Sequence, residues 1–548
     1  MEEFHVPEDL GEPSALQVKT AGRFCASQDL PILRNESKDR LNDIVDSVRS
    51  RLVDDGDADA LSEQENFDDM FTLVRDFKYL PSEIKGRVLS ILHEVVERIV
   101  RALEGGSGGN RRGRRSARGV GDKGPEGGGG GNQQGQAEVP LRNAFKMSVY
   151  LLFSAAFPSE ECYASAKQTA VLGKAPARGK GSRGGGSGGK KSSSSGSDTN
   201  GSFKWENARQ AVLETMRLAL TVEPSRLWRQ GVPDRCFMGL FLRLTCKMLE
   251  LPETSKNARQ SELVLRLISE PFHLAQGMET EFSAAIFLLV RENRHLADFV
   301  AKLCCHLVER HADARLGAEL VREIGRMDMP DINSKNAAAA APVVNVSEFL
   351  RQLVVVLPGT VYAHTSVLLP HLSSRPYQIR LAVVMALGEV VSAAHEDRTA
   401  SSEVGEEGGS RDGGSDGAAV GEDESQVQAD PRRVRMKDRN RDALLDQLVE
   451  RALDVSPFVR LAVLRAWASI AERGALPRMR FLIAARLGRD RLHDQSSLVR
   501  KEAVKLLSTL FEYNPYDSAL DLETSQQRSK QAEAELRAMT PAPTSPAQ

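Results

Sequence analysis

Few residue groupings in this 548-residue chain have the types and spacing that chemistry demands. The run "GSGGKKSS" at 186–193 offers glycines and lysines of the kind that cradle phosphate, but the GxxxxGK[ST] spacing fails and no apolar strand leads into it. Cys304, Cys305 and His306 are metal-ligand types. As consecutive residues of a helix they point in different directions and cannot close a tetrahedral site unaided, so they are expected to be buried helix positions. No GxGxxG follows a strand, no HExxH occurs, and the ten histidines are scattered. The expectation is a non-enzymatic protein with no catalytic, cofactor-binding or metal-ligating residues.

Charged residues that recur at fixed places are more informative. Asp454 stands six residues before Arg460, and Asp494 six before Arg500; Arg380 has Ser374 at the matching position. An Asp in a turn between helices can cap the following helix, and an Arg can bond turn groups of a neighbouring repeat. These five residues are therefore expected to hold a stack together. Basic clusters suit phosphate contact without base readout. They comprise Arg111, Arg112, Arg114, Arg115 and Arg118, the tract from Lys174 to Lys191, and "RRVRMKDRNR", which holds Arg432, Arg433, Arg435, Lys437, Arg439 and Arg441. Their bland reading is solvated linker, nuclear-import signal or, for the third, self-association with the acidic tract before it. Thr540-Pro541 and Ser545-Pro546 fit a proline-directed kinase.

The elements that must position these residues are helices. From Ile84 apolar residues fall at Val88, Ile91, Leu92 and Val95, one face of an α-helix. The same template starts at Ile379 (Val383, Ala386, Leu387, Val390), at Val459 (Val463, Ala466, Trp467, Ile470) and at Val499 (Ala503, Leu506, Leu507, Leu510). Arg460 and Arg500 lie forty residues apart, inside the roughly 40–47 residue period of HEAT and armadillo arrays. Antiparallel partners are expected upstream, in "VYAHTSVLLPHL" from Val361, "RDALLDQLVERAL" from Arg441 and "RMRFLIAARLGRDRL" from Arg478. One helix pair cannot cover its own apolar face, so neighbouring pairs stack. The expected fold is all-α, a HEAT-type α-solenoid.

Three Gly-rich tracts interrupt it and are too poor in apolar residues to fold. The expected division is a helical region 1–104, a basic insertion 105–138, a helical segment 139–172 and a second basic insertion 173–202. Helical repeats follow at 203–395, then an acidic insertion 396–430, two repeats at 431–524 and a frayed or disordered tail 525–548. Charge nearly cancels, with 73 Lys and Arg against 75 Asp and Glu, so electrostatic partners must be met by local patches. Six cysteines without a CxxC pair fit a reducing compartment. "MEEFHVPEDL" lacks signal-peptide regions, and "FSAAIFLLV" at 282–290 is under half a membrane span, so an intracellular, soluble protein is expected.

Several blocks, in order, resemble the N-terminal part of the condensin subunit 1 family. They are "EEFHVPEDL" at 2–10, "FKMSVYLLFSAAF" at 145–157, "FKWENARQAVLETMRLAL" at 203–220 with "RLWRQGV" after it, "ELVREIGR" at 319–326 and "QIRLAVVMALGEVV" at 378–391. The paired repeats through "FEYNP" complete the set, with the more family-specific "GALPRMRF" between them. The resemblance implies a HEAT-repeat scaffold in mitotic chromosome condensation. Its implied partners are a kleisin, a second HEAT subunit, a structural-maintenance-of-chromosomes ATPase pair and chromatin or double-stranded DNA. Hydrolysis would belong to the ATPases, with no membrane and no small-molecule substrate. The implied location is the nucleus and mitotic chromosomes, with cytoplasm in interphase. Family members continue with further repeats and a C-terminal condensin domain, so the chain is expected to be an N-terminal portion. The competing expectation is a HEAT adaptor of another class: a cohesin regulator, a nuclear transport receptor or a phosphatase scaffold.

Overall fold

The computed structural model describes residues 3–7, 16–17, 23–105, 139–172, 203–274, 277–328, 337–403, 430–516 and 522–539. The chain forms two compact units, Met1–Leu320 and Val321–Gln548. Among the described residues the structure is all-α and HEAT-like, with no strand beyond an isolated bridge between Glu3 and Arg23.

The first unit contains α1 (Lys38–Arg49), α2 (Gln64–Arg75), α3 (Ser82–Gly105), α4 (Val139–Leu172), α5 (Trp205–Ala219), α6 (Pro224–Leu227), α7 (Arg235–Leu249), α8 (Pro252–Lys256), α9 (Ala258–Leu274), α10 (Glu279–Glu292) and α11 (Ala297–His311). α12 (Arg315–Arg326) spans residue 320. The face anticipated from Ile84 is the buried face of α3: Ile84, Val88, Ile91, Leu92 and Val95 are all in the core. α3 packs on α4 and α5, α4 on α7, and both α5 and α7 on α9.

The second unit contains α13 (Ala337–Val356), α14 (Pro358–Ala363), α15 (Thr365–Leu368), α16 (Tyr377–Glu403), α17 (Asp438–Arg451), α18 (Pro457–Glu472), α19 (Arg478–Arg491), α20 (Ser497–Glu512) and α21 (Leu522–Met539). Its spine is the side-by-side packing of α16, α18 and α20. The apolar faces read from Ile379, Val459 and Val499 point into that core, with Trp467 fully buried; only Leu507 is half-exposed. Gly388 and Gly488 allow the close approach: a Cβ at Gly388 would lie 2.8 Å from the Ala466 Cβ, and one at Gly488 would lie 2.8 Å from Leu507. The stretch Tyr377–Thr399 is apolar and long enough to cross a membrane by length and composition. Here it is a core helix packed on α13 and α18.

Two sequence expectations need adjustment. The partner from Val361 is not one helix but α14, α15 and a 3-10 turn over Leu369–Ser373. Pro370 supplies no amide to continue a regular helix, and α13 takes the main place against α16. α16 runs through residues 396–403, so the acidic tract begins later than expected. Asp397 and Arg398 tie this end down: Asp397 accepts from the Val434 amide at 2.6 Å and Arg398 pairs with Asp438 at 2.9 Å. The tail contains α21, whose residues 526–534 are exposed. The remainder of the three insertions lies outside the described residues.

Candidate functional site

Each turn leading into a core helix of the second unit carries the anticipated charges, and they join across repeats. Arg380, at the start of α16, grips Asp454 of the next turn with two parallel bonds, Nε to Oδ2 and Nη2 to Oδ1, both 2.8 Å. Arg460, one repeat on, grips Asp494 in the same fork at 2.8 and 2.7 Å. The Nη1 group of each arginine donates to carbonyls of its own turn. Arg380 bonds Ser374 and Arg375, Arg460 bonds Asp454 and Val455, and Arg500 bonds Asp494 and Gln495.

The aspartates serve two neighbours at once. Asp454 accepts from the Ser456 amide at 2.8 Å and Asp494 from the Ser496 amide at 2.9 Å. Each carboxylate thus closes a turn onto the residue that precedes the helix through Oδ1, which it shares with the arginine Nη2, while Oδ2 accepts from the arginine Nε. Ser456 and Ser496 occupy the N-cap positions themselves, without a side-chain cap bond. The planar guanidinium fork matches a carboxylate in one geometry only, so each rung fixes the register of one repeat on the next. Arg500 ends the series with its Nε and Nη2 edge unmatched by any carboxylate among the described residues.

The bonds from Arg460 hold the Asp494 carboxyl below its ordinary 3.8. A carboxylate depressed on folding stabilises the fold above its unfolded pKa, and that contribution is lost as pH falls through the folded value. Urea unfolding should therefore show Asp494→Asn well below the parent at pH 7. The gap should narrow as pH drops below about 4; a constant gap down to pH 2 would show that the ionised carboxylate contributes nothing.

The third basic cluster divides in two. Arg441 is largely enclosed and paired with Asp438 and Asp442, and Arg433 lies 3.7 Å from Asp430. Arg432 is exposed, and its amide bonds Asp430. Arg435, Lys437 and Arg439 are exposed and carry no ion pair among the described residues. The clusters at Arg111, Arg112, Arg114, Arg115 and Arg118 and at Lys174 to Lys191, with Thr540 and Ser545, lie outside the described residues.

The first unit holds groups that periodicity could not reveal. Glu160 on α4 and Arg209 on α5 form a pair 0% and 2% exposed, with Nε to Oε2 at 2.8 Å and Nη2 to Oε1 at 3.0 Å. Trp205 Nε1 donates to the same carboxylate at 2.7 Å, and Arg209 also donates to Thr254 on α8 at 2.8 Å. Lys146, 1% exposed, sits between Glu3 at 3.5 Å and Asp234 at 3.8 Å. Phe4 is buried against Phe24, Phe67 and Tyr150, and its amide donates to Asn143. Phe4 and Val6 of the N-terminal segment are thus part of the core. Cys304 is buried on α11 and its thiol is pushed up by burial; the Cys246 thiol is raised to about 12 by the same cause. A reactive thiolate needs the opposite shift.

Residues 133–269 match the family model described as non-SMC mitotic condensation complex subunit 1, N-term. The chain is 24% identical over 511 residues to the Condensin-1 complex subunit CAP-D2 of Arabidopsis thaliana, an alignment covering 92% of this chain and 31% of that protein. It is 24% identical over 478 residues to Condensin complex subunit 1 of Xenopus laevis, covering 86% of this chain and 30% of that one. For Condensin complex subunit 1 of Mus musculus the identity is 26% over 341 residues, covering 61% and 22%. This chain therefore spans less than a third of the length of these relatives.

Proposed function

We propose that this chain, whose residues 133–269 match the model of the N-terminal domain of the condensation complex subunit 1 family, is the N-terminal part of a non-catalytic condensin scaffold. It acts in mitotic chromosome condensation by holding partner proteins in fixed register and contributing to the association of the complex with DNA. The observation that carries this reading is the likeness to condensin subunits over 92% of the chain. The partners are a kleisin, a structural-maintenance-of-chromosomes ATPase pair that performs the hydrolysis, and a second HEAT subunit. Its place is the nucleus and chromosomes in mitosis, with cytoplasm in interphase.

The physical form suits that work. A repeat stack keeps its core continuous while its turns stay exposed, and clusters of exposed apolar side chains mark contact surfaces. In the second unit Leu453 and Val455 project from one turn at 74% and 94% exposure, with Phe458 half-exposed beside them. The test is to tag the chain in its own cells, recover it from mitotic extract and identify what comes with it. Recovery of kleisin and both ATPases, with enrichment on mitotic chromosomes, is expected. Recovery of a transport cargo or a phosphatase in their place would move the chain to another class of HEAT adaptor.

A further inference from the structure

We propose that Arg435, Lys437 and Arg439 form a preorganised comb for the sugar-phosphate backbone of duplex DNA. The inference rests on the DNA-association part of the reading above and gives it a location. Between Asp430 and α17 the chain is neither helix nor turn from Arg433 to Lys437, and burial alternates along it. Val434 and Met436 are 1% and 9% exposed, whereas Arg433, Arg435 and Lys437 face solvent. That period of two is the signature of extended backbone, which sets Arg435 and Lys437 about 6.6 Å apart; Arg439 follows in the first turn of α17. Phosphates rise about 3.4 Å along each strand of B-DNA, so Arg435 and Lys437 can reach different phosphates of one backbone.

The comb is held from beneath, so little ordering is left for the ligand to supply. The Thr360 amide donates to the Pro431 carbonyl at 2.9 Å, the Val434 amide donates to Asp397 at 2.6 Å, and Arg398 Nη2 donates to the Met436 carbonyl at 3.3 Å. Gly359 makes the close crossing possible, since a Cβ there would fall 2.4 Å from the Arg433 carbonyl oxygen. The acids of the segment are already bridged: Asp430 to Arg433, Asp438 to Arg398 and Arg441, and Asp442 to Arg441. Most arginines of this unit spend their charge on such pairs. Lys437 is also the residue before α17, where the first helical amides favour an anion.

The experiment is fluorescence anisotropy with two labelled DNA duplexes of unrelated sequence, titrated at several salt concentrations. The full chain is used, with the Lys and Arg residues of 106–138 and 173–202 changed to Gln so that those tracts do not mask the comb. Changing Arg435→Ala, Lys437→Ala and Arg439→Ala together should lower the salt slope by about 2 to 3 and weaken binding tenfold or more, equally for both duplexes. The matched Gln set should do the same with an unchanged melting curve and unchanged recovery of kleisin, which separates failure of the comb from failure of the scaffold reading. Removal of Arg478 and Arg486, exposed on α19, should leave the slope intact. An unchanged slope in the comb variants would overturn the proposal, as would an equal fall in the α19 variant. So would loss of binding to a polyglutamate probe while duplex binding persists.

Discussion

Changing Glu160 to Gln should destabilise the first unit by about 3–5 kcal/mol. The carboxylate is fully enclosed and takes three hydrogen bonds, two from Arg209 and one from Trp205. A carboxamide can keep the Trp205 bond but leaves the Arg209 guanidinium, 2% exposed, without a counter-charge. An unpaired buried charge is what makes half of such a pair so costly, whereas replacing both halves by apolar groups of like volume is often close to neutral. Hydrogen exchange read peptide by peptide is the suitable measure, because it assigns opening free energies to α4 and α5 separately from the second unit. Protection should collapse there in Glu160→Gln and recover in part when Glu160→Leu is combined with Arg209→Met. Parent-like protection in the single variant would mean that water reaches the pair.

The second large effect is at the rungs between repeats. Arg460→Ala should destabilise the contact between α18 and α20 by about 2–4 kcal/mol, less than the enclosed Glu160 pair because Arg460 is 13% exposed. Arg460→Lys should rescue little, since an ammonium cannot make the two parallel bonds or bridge to its own turn carbonyls. A double-mutant cycle with Asp494→Ala should give a coupling energy above 1 kcal/mol. The more exposed pair of Arg465 with Glu502, 55% and 11% exposed, should couple by less than about 1 kcal/mol. Equal couplings would show that the fork geometry confers no advantage over an ordinary surface pair.

The parts that sequence made legible are those governed by local periodicity. The buried faces from Ile84, Ile379, Val459 and Val499 could be read because a helix repeats every 3.6 residues and its core face must stay apolar. The recurrence of Asp and Arg at fixed offsets marked the turns, but not which Asp meets which Arg. Arg380 finds Asp454 seventy-four residues away, across a tract whose length carries no periodic signal. Glu160 with Arg209, and Phe4 among Phe24, Phe67 and Tyr150, are long-range meetings with no local pattern at all. The basic run 432–441 was visible as composition. Its division into an enclosed Arg441 and an outward comb depends on Asp397, Arg398 and Gly359, residues that nothing in the run itself points to. The end of α16 was misplaced because Gly-rich acidic composition begins gradually, while Asp397 and Arg398 hold the helix by contacts with residues past the tract.

The most direct measurement mixes the purified chain with purified kleisin from the same organism and follows both by sedimentation velocity. A scaffold that holds kleisin should give one species with the combined mass and one copy of each, persisting at micromolar concentration and surviving the comb substitutions. Two separate boundaries at that concentration, with the chain's melting transition intact, would contradict the condensin scaffold reading.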